Sequence, residues 1–222
     1  MGSFYIFARM NRLLSIILLF CVLGVTAQER EMEIWNLNQI SMKPAQNLSL
    51  KVSEKVHYST LRSDIQLKYA ELKVGYRQKR WMEYGAAYRL SSSWLVENSW
   101  ENENRAMLFF DVQEPIHKFT LSFSNRFEYR SFKHLQDYFR HRQALKVDLP
   151  SLTSWGMQFY VSEESFYKFN SDGTHLARLY AGLMVIEKKH LNISTYYALQ
   201  KSKLLQKWYT SDVLGLNLSF MI

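Results

Sequence analysis

The chain has 222 residues, of which 47% are hydrophobic and 15% aromatic, with 28 basic against 20 acidic side chains. A mean hydropathy of -0.26 beside so much apolar and aromatic material means that the two kinds of residue are finely interleaved, which favours strands over long apolar helices. The one cysteine, Cys21, lies within the N-terminal apolar run, so a chain processed after that run has no disulfide and no cysteine metal site.

The first element is a leader. Met10-Asn11-Arg12 opens a short basic segment, Leu13 to Val25 is an almost unbroken apolar run, and Val25-Thr26-Ala27 presents small residues for cleavage before Gln28. The run is shorter than the about 20 residues that cross a bilayer as a helix, so residues 1–27 read as a cleaved signal peptide, with a retained anchor as the alternative. Met1 and Met10 both remain open as the start. Phe20 before Cys21 is too bulky for a lipoprotein site. Export argues against nucleic acid as the partner of the basic chain and favours anionic lipid head groups or glycans.

From Gln28 onward the signal is period two. Leu48-Ser49-Leu50-Lys51-Val52, Ile65-Gln66-Leu67-Lys68-Tyr69, Phe119-Thr120-Leu121-Ser122-Phe123, Leu191-Asn192-Ile193-Ser194-Thr195 and Leu214 to Phe220 all alternate. Successive strand side chains point to opposite faces, so each segment carries one apolar and one polar face. Eleven segments are expected, near 33–42, 46–58, 63–77, 81–90, 105–113, 117–130, 138–149, 154–164, 174–187, 190–201 and 208–222.

Short turns are expected at Lys43-Pro44-Ala45, Gln78-Lys79-Arg80, Glu114-Pro115-Ile116, Pro150 to Thr153 and Glu187-Lys188-Lys189. Longer polar links are expected at Ser91 to Asn104, Ser131 to Asp137, Ser165 to Gly173 and Lys201 to Lys207. The two kinds alternate, as in outer-membrane barrels, and an antiparallel up-and-down transmembrane β-barrel of about 10–12 strands is the expected fold. Bacterial barrels of this kind have even strand counts, so ten is favoured, with 33–42 not spanning, and twelve is the other possibility. The apolar face moves from Tyr69 to Leu72, which suggests a bulge or break near Ala70 and Glu71.

Alternation cannot say which face is wet. Segment length, aromatics near segment ends (Tyr58, Trp81, Trp155, Trp208, Phe220) and charges on the polar faces favour a membrane barrel. The last strand resembles the terminal strand that barrel-assembly machinery recognises. The polar faces then collect an interior charge cluster of Arg77, Glu83, Arg89, Arg126, Glu128, Arg130, Arg140, Arg142, Glu164 and Arg178, with Arg105, Lys146 and Asp148 beside them. Arginine suits such a place because its planar fork bonds carboxylates bidentately and keeps its charge when partly buried. These groups read as ion-pair ladders filling a narrow lumen or as an anion-selecting pore lining.

A catalytic constellation is the third reading of the same face, with His141, His175, Ser162, Glu163 and Glu164 as candidates. No spacing links them, and no metal-ligand, nucleophile-elbow or phosphate-loop motif is present. No catalytic, cofactor or metal residue is assigned.

The stretch Trp35 to Arg62, the run Arg126-Phe127-Glu128-Tyr129-Arg130, Phe139-Arg140-His141-Arg142, Tyr160 to Glu164 and Ala177 to Leu183 together resemble one family. They are similar to the uncharacterised exported Bacteroidota proteins grouped as domain of unknown function 2490. The resemblance implies an outer-membrane barrel with no established activity and no catalytic residues to carry over. The expectation is a non-enzymatic, porin-like outer-membrane protein, structural or a narrow conduit with an Arg-rich interior, meeting outer-membrane lipid and a small anion or glycan. A lipid- or glycan-modifying enzyme using Glu164 or His141 and a soluble periplasmic β-barrel or sandwich binder are the alternatives.

Overall fold

The computed structural model describes residues 30–94, 99–169, 173–204 and 207–222. The expected signal peptide, residues 1–27, lies outside them.

Among the described residues eleven strands follow one another: β1 Glu31–Ala45, β2 Leu48–Ser59, β3 Asp64–Lys79, β4 Met82–Trp94, β5 Trp100–Ile116, β6 Phe119–Phe132, β7 Tyr138–Asp148, β8 Gln158–Lys168, β9 Gly173–Glu187, β10 Leu191–Leu204 and β11 Lys207–Met221. Each pairs antiparallel with the next, and β1 meets β11 to close a barrel. The closing seam is parallel, with Glu33 opposite Val213 and Asn36 opposite Leu216. This corrects the even count expected from sequence. In an up-and-down barrel of eleven strands the first and last run the same way, so closure has to be parallel. The segment expected to drop out, 33–42, is a full strand bonded on both sides.

The strands run from 11 residues (β7, β8) to 17 (β5), against the about 5–6 of ordinary soluble strands. They consume much of the polar sequence expected to form long links. β4 continues through Ser91 to Trp94 and β5 begins at Trp100, while β10 and β11 take up most of Lys201 to Lys207. Turns also shift. Pro44 and Pro115 lie in the last residues of β1 and β5, where a missing donor costs little, and the reversals follow at 46–47 and 117–118. His117 takes the left-handed conformation that such a tight hairpin requires (φ 57°). Between β7 and β8 the expected four-residue turn is a connection over 149–157, tied to β9 by the Glu187 N–H donating to Trp155 O at 2.9 Å. At the other end, Asp137 accepts from the Phe132 N–H (2.9 Å) and the Tyr129 hydroxyl (2.8 Å), which hold its carboxyl below its ordinary range.

Alternation along β5 gives the orientation. Glu101, Glu103, Arg105, Met107 and Phe109 are buried inside the barrel, while Ala106, Leu108 and Phe110 between them point outward. Leu108 is 65% exposed and Glu103 only 4%. The same inversion holds round the barrel, with Ile40, Val52, Leu72, Tyr88, Phe127, Leu179 and Leu216 outside. Polar groups interrupt this belt, some of them bonded to one another. On β1 and β2 the Asn38 amide donates to Asn36 and Glu54 (both 2.9 Å), and across β6 and β7 His141 Nε2 meets Asn125 Oδ1 at 3.1 Å.

The slip read near Ala70 and Glu71 is absent. β3 pairs continuously with β2 from Leu67 to Tyr76, and Tyr69 points into the lumen, where the Arg89 guanidinium lies 3.8 Å from its ring centroid. The irregularity between β2 and β3 falls instead at His57/Tyr58. An apolar core lies inside the barrel on the seam side, formed by Trp35, Tyr160, Tyr196, Ala198 and Val213 with Tyr180 against it.

Candidate functional site

Seven arginines from β4 to β9 point inward around a cavity of about 630 Å³. Four buried carboxylates meet them, and each carboxylate lies between two arginines. Glu71 takes Arg89 (Nε 2.8 Å) and faces Arg126 at 3.8 Å. Glu103 takes Arg105 (2.7 Å) and Arg130 (2.6 Å). Glu128, 1% exposed, takes Arg140 (2.9 Å) and faces Arg105 at 3.4 Å. Glu164 takes Arg142 and lies 3.5 Å from Arg178. Tyr180 also donates its hydroxyl to Glu164 at 3.0 Å.

A carboxylate that bonds two guanidiniums offsets one positive charge of the two. The arrangement therefore leaves the lumen cationic, and not every group in it is satisfied: Glu128 Oε1 has no hydrogen-bond partner among the described residues. Lys55 adds to the excess. Its ammonium lies 3.9 Å from the Trp35 ring centroid and has no carboxylate within 4.0 Å among the described residues. Beside it His57 stacks on Trp35 at 4.0 Å, and its buried Nε2 has no hydrogen-bond partner there.

The cavity extends along the barrel. Tyr138 and Lys203 line it near the strand ends of one side, and Gln39 and Asn217 line it towards the tight-turn end. Gln39 also borders a second cavity of about 240 Å³, walled by Ser41, Ser49, Lys51, Arg77, Glu83 and Ser219. The two cavities meet at one side chain.

Of the charges singled out from sequence, Arg89, Arg126, Arg130, Arg140, Arg142, Glu164 and Arg178 line the larger cavity, and Glu128 lies behind it in contact with Arg140. Arg77 and Glu83 are elsewhere, paired at 3.1 Å in the smaller cavity. Arg105 joins the cluster, and Lys146 pairs with Asp148 at 2.6 Å. Sequence reasoning missed Glu71, Glu103, Lys55 and the Lys73–Asp111 pair (2.8 Å). Glu71 was hidden by the supposed slip, and Glu103 fell within a supposed loop; strict alternation through either would have found it.

The catalytic candidates divide between faces. Ser162, Glu164 and His175 line the cavity, whereas His141 and Glu163 lie outside the barrel, His141 stacked on Phe127 at 4.7 Å. Glu164 is held by two arginines and a tyrosine. Among the described residues no group of three acidic, histidine or cysteine side chains could hold a metal ion.

No curated protein matches the chain. The model of the family described as Protein of unknown function (DUF2490) matches residues 32–210, nearly the whole barrel, and the chain belongs to that family.

Proposed function

We propose that the barrel spans the outer membrane and serves as a narrow, anion-preferring conduit. One observation carries the reading: the barrel is inverted, with its apolar side chains outward and a cationic, hydrogen-bonded lumen inward. A soluble barrel buries its apolar face and would expose leucines such as Leu108 and Leu179 to water only singly. A continuous outward belt is the pattern that hydrocarbon solvates. Strands of 11 to 17 residues reach or exceed the about 9–11 that a tilted strand needs to cross. Closure leaves no unpaired strand edge in lipid.

The polar groups of the belt reduce their own cost by bonding one another, as Asn38 does with Glu54 and His141 with Asn125. Inside, rings of fixed arginines favour anions as they do in channels. The outer-membrane lipid is then one partner. The C-terminal strand is the segment that assembly machinery would engage, its outward Leu214, Leu216 and Phe220 alternating with inward Gly215 and Asn217.

Outer-membrane fractionation of cells expressing the full chain, with gels of boiled and unboiled samples, tests placement. The protein is expected in the outer-membrane fraction with heat-modifiable migration. Recovery in the soluble periplasmic fraction without it would refute the reading.

A further inference from the structure

Arg126 and Arg142 stand directly opposite each other on β6 and β7. Directly opposed side chains on neighbouring strands are close, and like charges there destabilise unless something of opposite sign lies between. Arg142 is met by Glu164, but Glu164 is shared with Arg178. Arg126 makes no hydrogen bond to any described residue, and its nearest carboxylate oxygen, on Glu71, is 3.8 Å away and already bonded to Arg89. Its guanidinium fork is uncommitted and borders the cavity.

Lys55 is the second uncommitted cation. It reaches the same cavity over the Trp35 ring, and Arg178 lies over that ring as well, at 4.7 Å. Five cations (Lys55, Arg89, Arg126, Arg142, Arg178) and three carboxylates (Glu33, Glu71, Glu164) thus share one stretch of lumen, Glu33 lying 3.8 Å from Nδ1 of His57, whose Nε2 is unbonded. A net charge of this sign calls for an anion carrying more than one charge. An open fork beside a point-charge ammonium suits a tetrahedral oxyanion with several acceptor atoms better than a halide.

We infer that this stretch of the lumen is a binding site for a phosphoryl group, held between Arg126, Arg142 and Lys55. The inference deepens the conduit reading and rests on the lumen being open to solutes. The bound group supplies the negative charge between Arg126 and Arg142, and Trp35 forms an apolar floor beneath the ammonium.

The test is calorimetric titration of the refolded full barrel in detergent with inorganic phosphate, and separately with chloride at matched ionic strength. Phosphate is expected to bind saturably and tighter than chloride. Lys55→Gln and Arg126→Gln should each weaken it by about tenfold. Lys68→Gln, which removes a charge from the outer face, should leave it unchanged. Heat-modifiable migration reports whether each variant folds. No saturable phosphate binding to the wild-type barrel, or equal affinity for chloride, overturns the site, as does unaltered binding in folded Lys55→Gln and Arg126→Gln. A barrel that passes chloride but binds no phosphate loses the site and keeps the conduit. One that binds phosphate and passes no current does the reverse.

Discussion

The ring of Tyr196 lies over the backbone of Gly215, its register partner on β11, so closely that a Cβ at Gly215 would sit 2.0 Å from Tyr196 Cζ. Tyr160 covers Gly182 in the same way, with 2.1 Å to its Cζ. Two inward glycines therefore make room for two inward tyrosines, and the tyrosines build the apolar core against Trp35 and Val213. Gly215→Val is expected to destabilise the barrel by about 1–3 kcal/mol through overpacking. Combining it with Tyr196→Ala should cost less than the sum of the two single changes. Urea unfolding of the four proteins checks this, and simple additivity would remove the steric account.

Glu128 is one of the four buried carboxylates that hold the interior arginines. It is almost fully buried between Arg140 and Arg105, and removing its charge leaves Arg140 without a carboxylate partner, while Arg105 keeps Glu103. Glu128→Gln is expected to destabilise by about 3–5 kcal/mol. Glu128→Gln with Arg140→Met, which removes both members of the closest pair, should recover part of that loss. Unfolding midpoints measured in the same detergent decide it.

Glu163 distinguishes lipid from water outside the barrel. It points outward on β8, its register partners being Leu145 and Leu179. If hydrocarbon surrounds it, Glu163→Leu should stabilise the folded protein in lipid vesicles by about 1 kcal/mol, less than an outward arginine would cost at the same depth. Destabilisation or aggregation of the variant would point to water there.

The parallel seam can be tested chemically. Asn36 and Leu216 are register partners on β1 and β11, at the about 4.7–4.9 Å interstrand spacing that a disulfide can bridge. The native chain has no other cysteine beyond Cys21. Asn36→Cys with Leu216→Cys is expected to cross-link on mild oxidation and to shift unboiled and boiled migration. Absence of the cross-link in folded protein would contradict closure by β1.

Much of the fold was readable because one physical signal, alternation, is written on every strand, and the eleven segments found by it match the eleven strands. Closure was not readable. Which strand lies beside β1 depends on tilt and register accumulated around the whole barrel, and nothing local in Glu31–Ala45 records it. The interior charges were legible wherever aliphatics marked the opposite face, as with Arg126, Glu128 and Arg130 beside Phe127 and Tyr129. They were lost where Asn102 and Asn104 faced outward and made β5 look like a loop, or where Tyr69 faced inward and mimicked a slip. The sharing of each carboxylate by two arginines is a tertiary property, since Glu71 and Arg126 are brought together from β3 and β6.

Ion selectivity is the property that a cationic lumen controls most directly. The refolded barrel, placed in a planar bilayer under a KCl gradient, should conduct with a reversal potential displaced towards the chloride equilibrium, and Arg126→Glu should reduce that displacement. A sealed membrane, or a reversal potential displaced towards potassium, would contradict a cationic conduit.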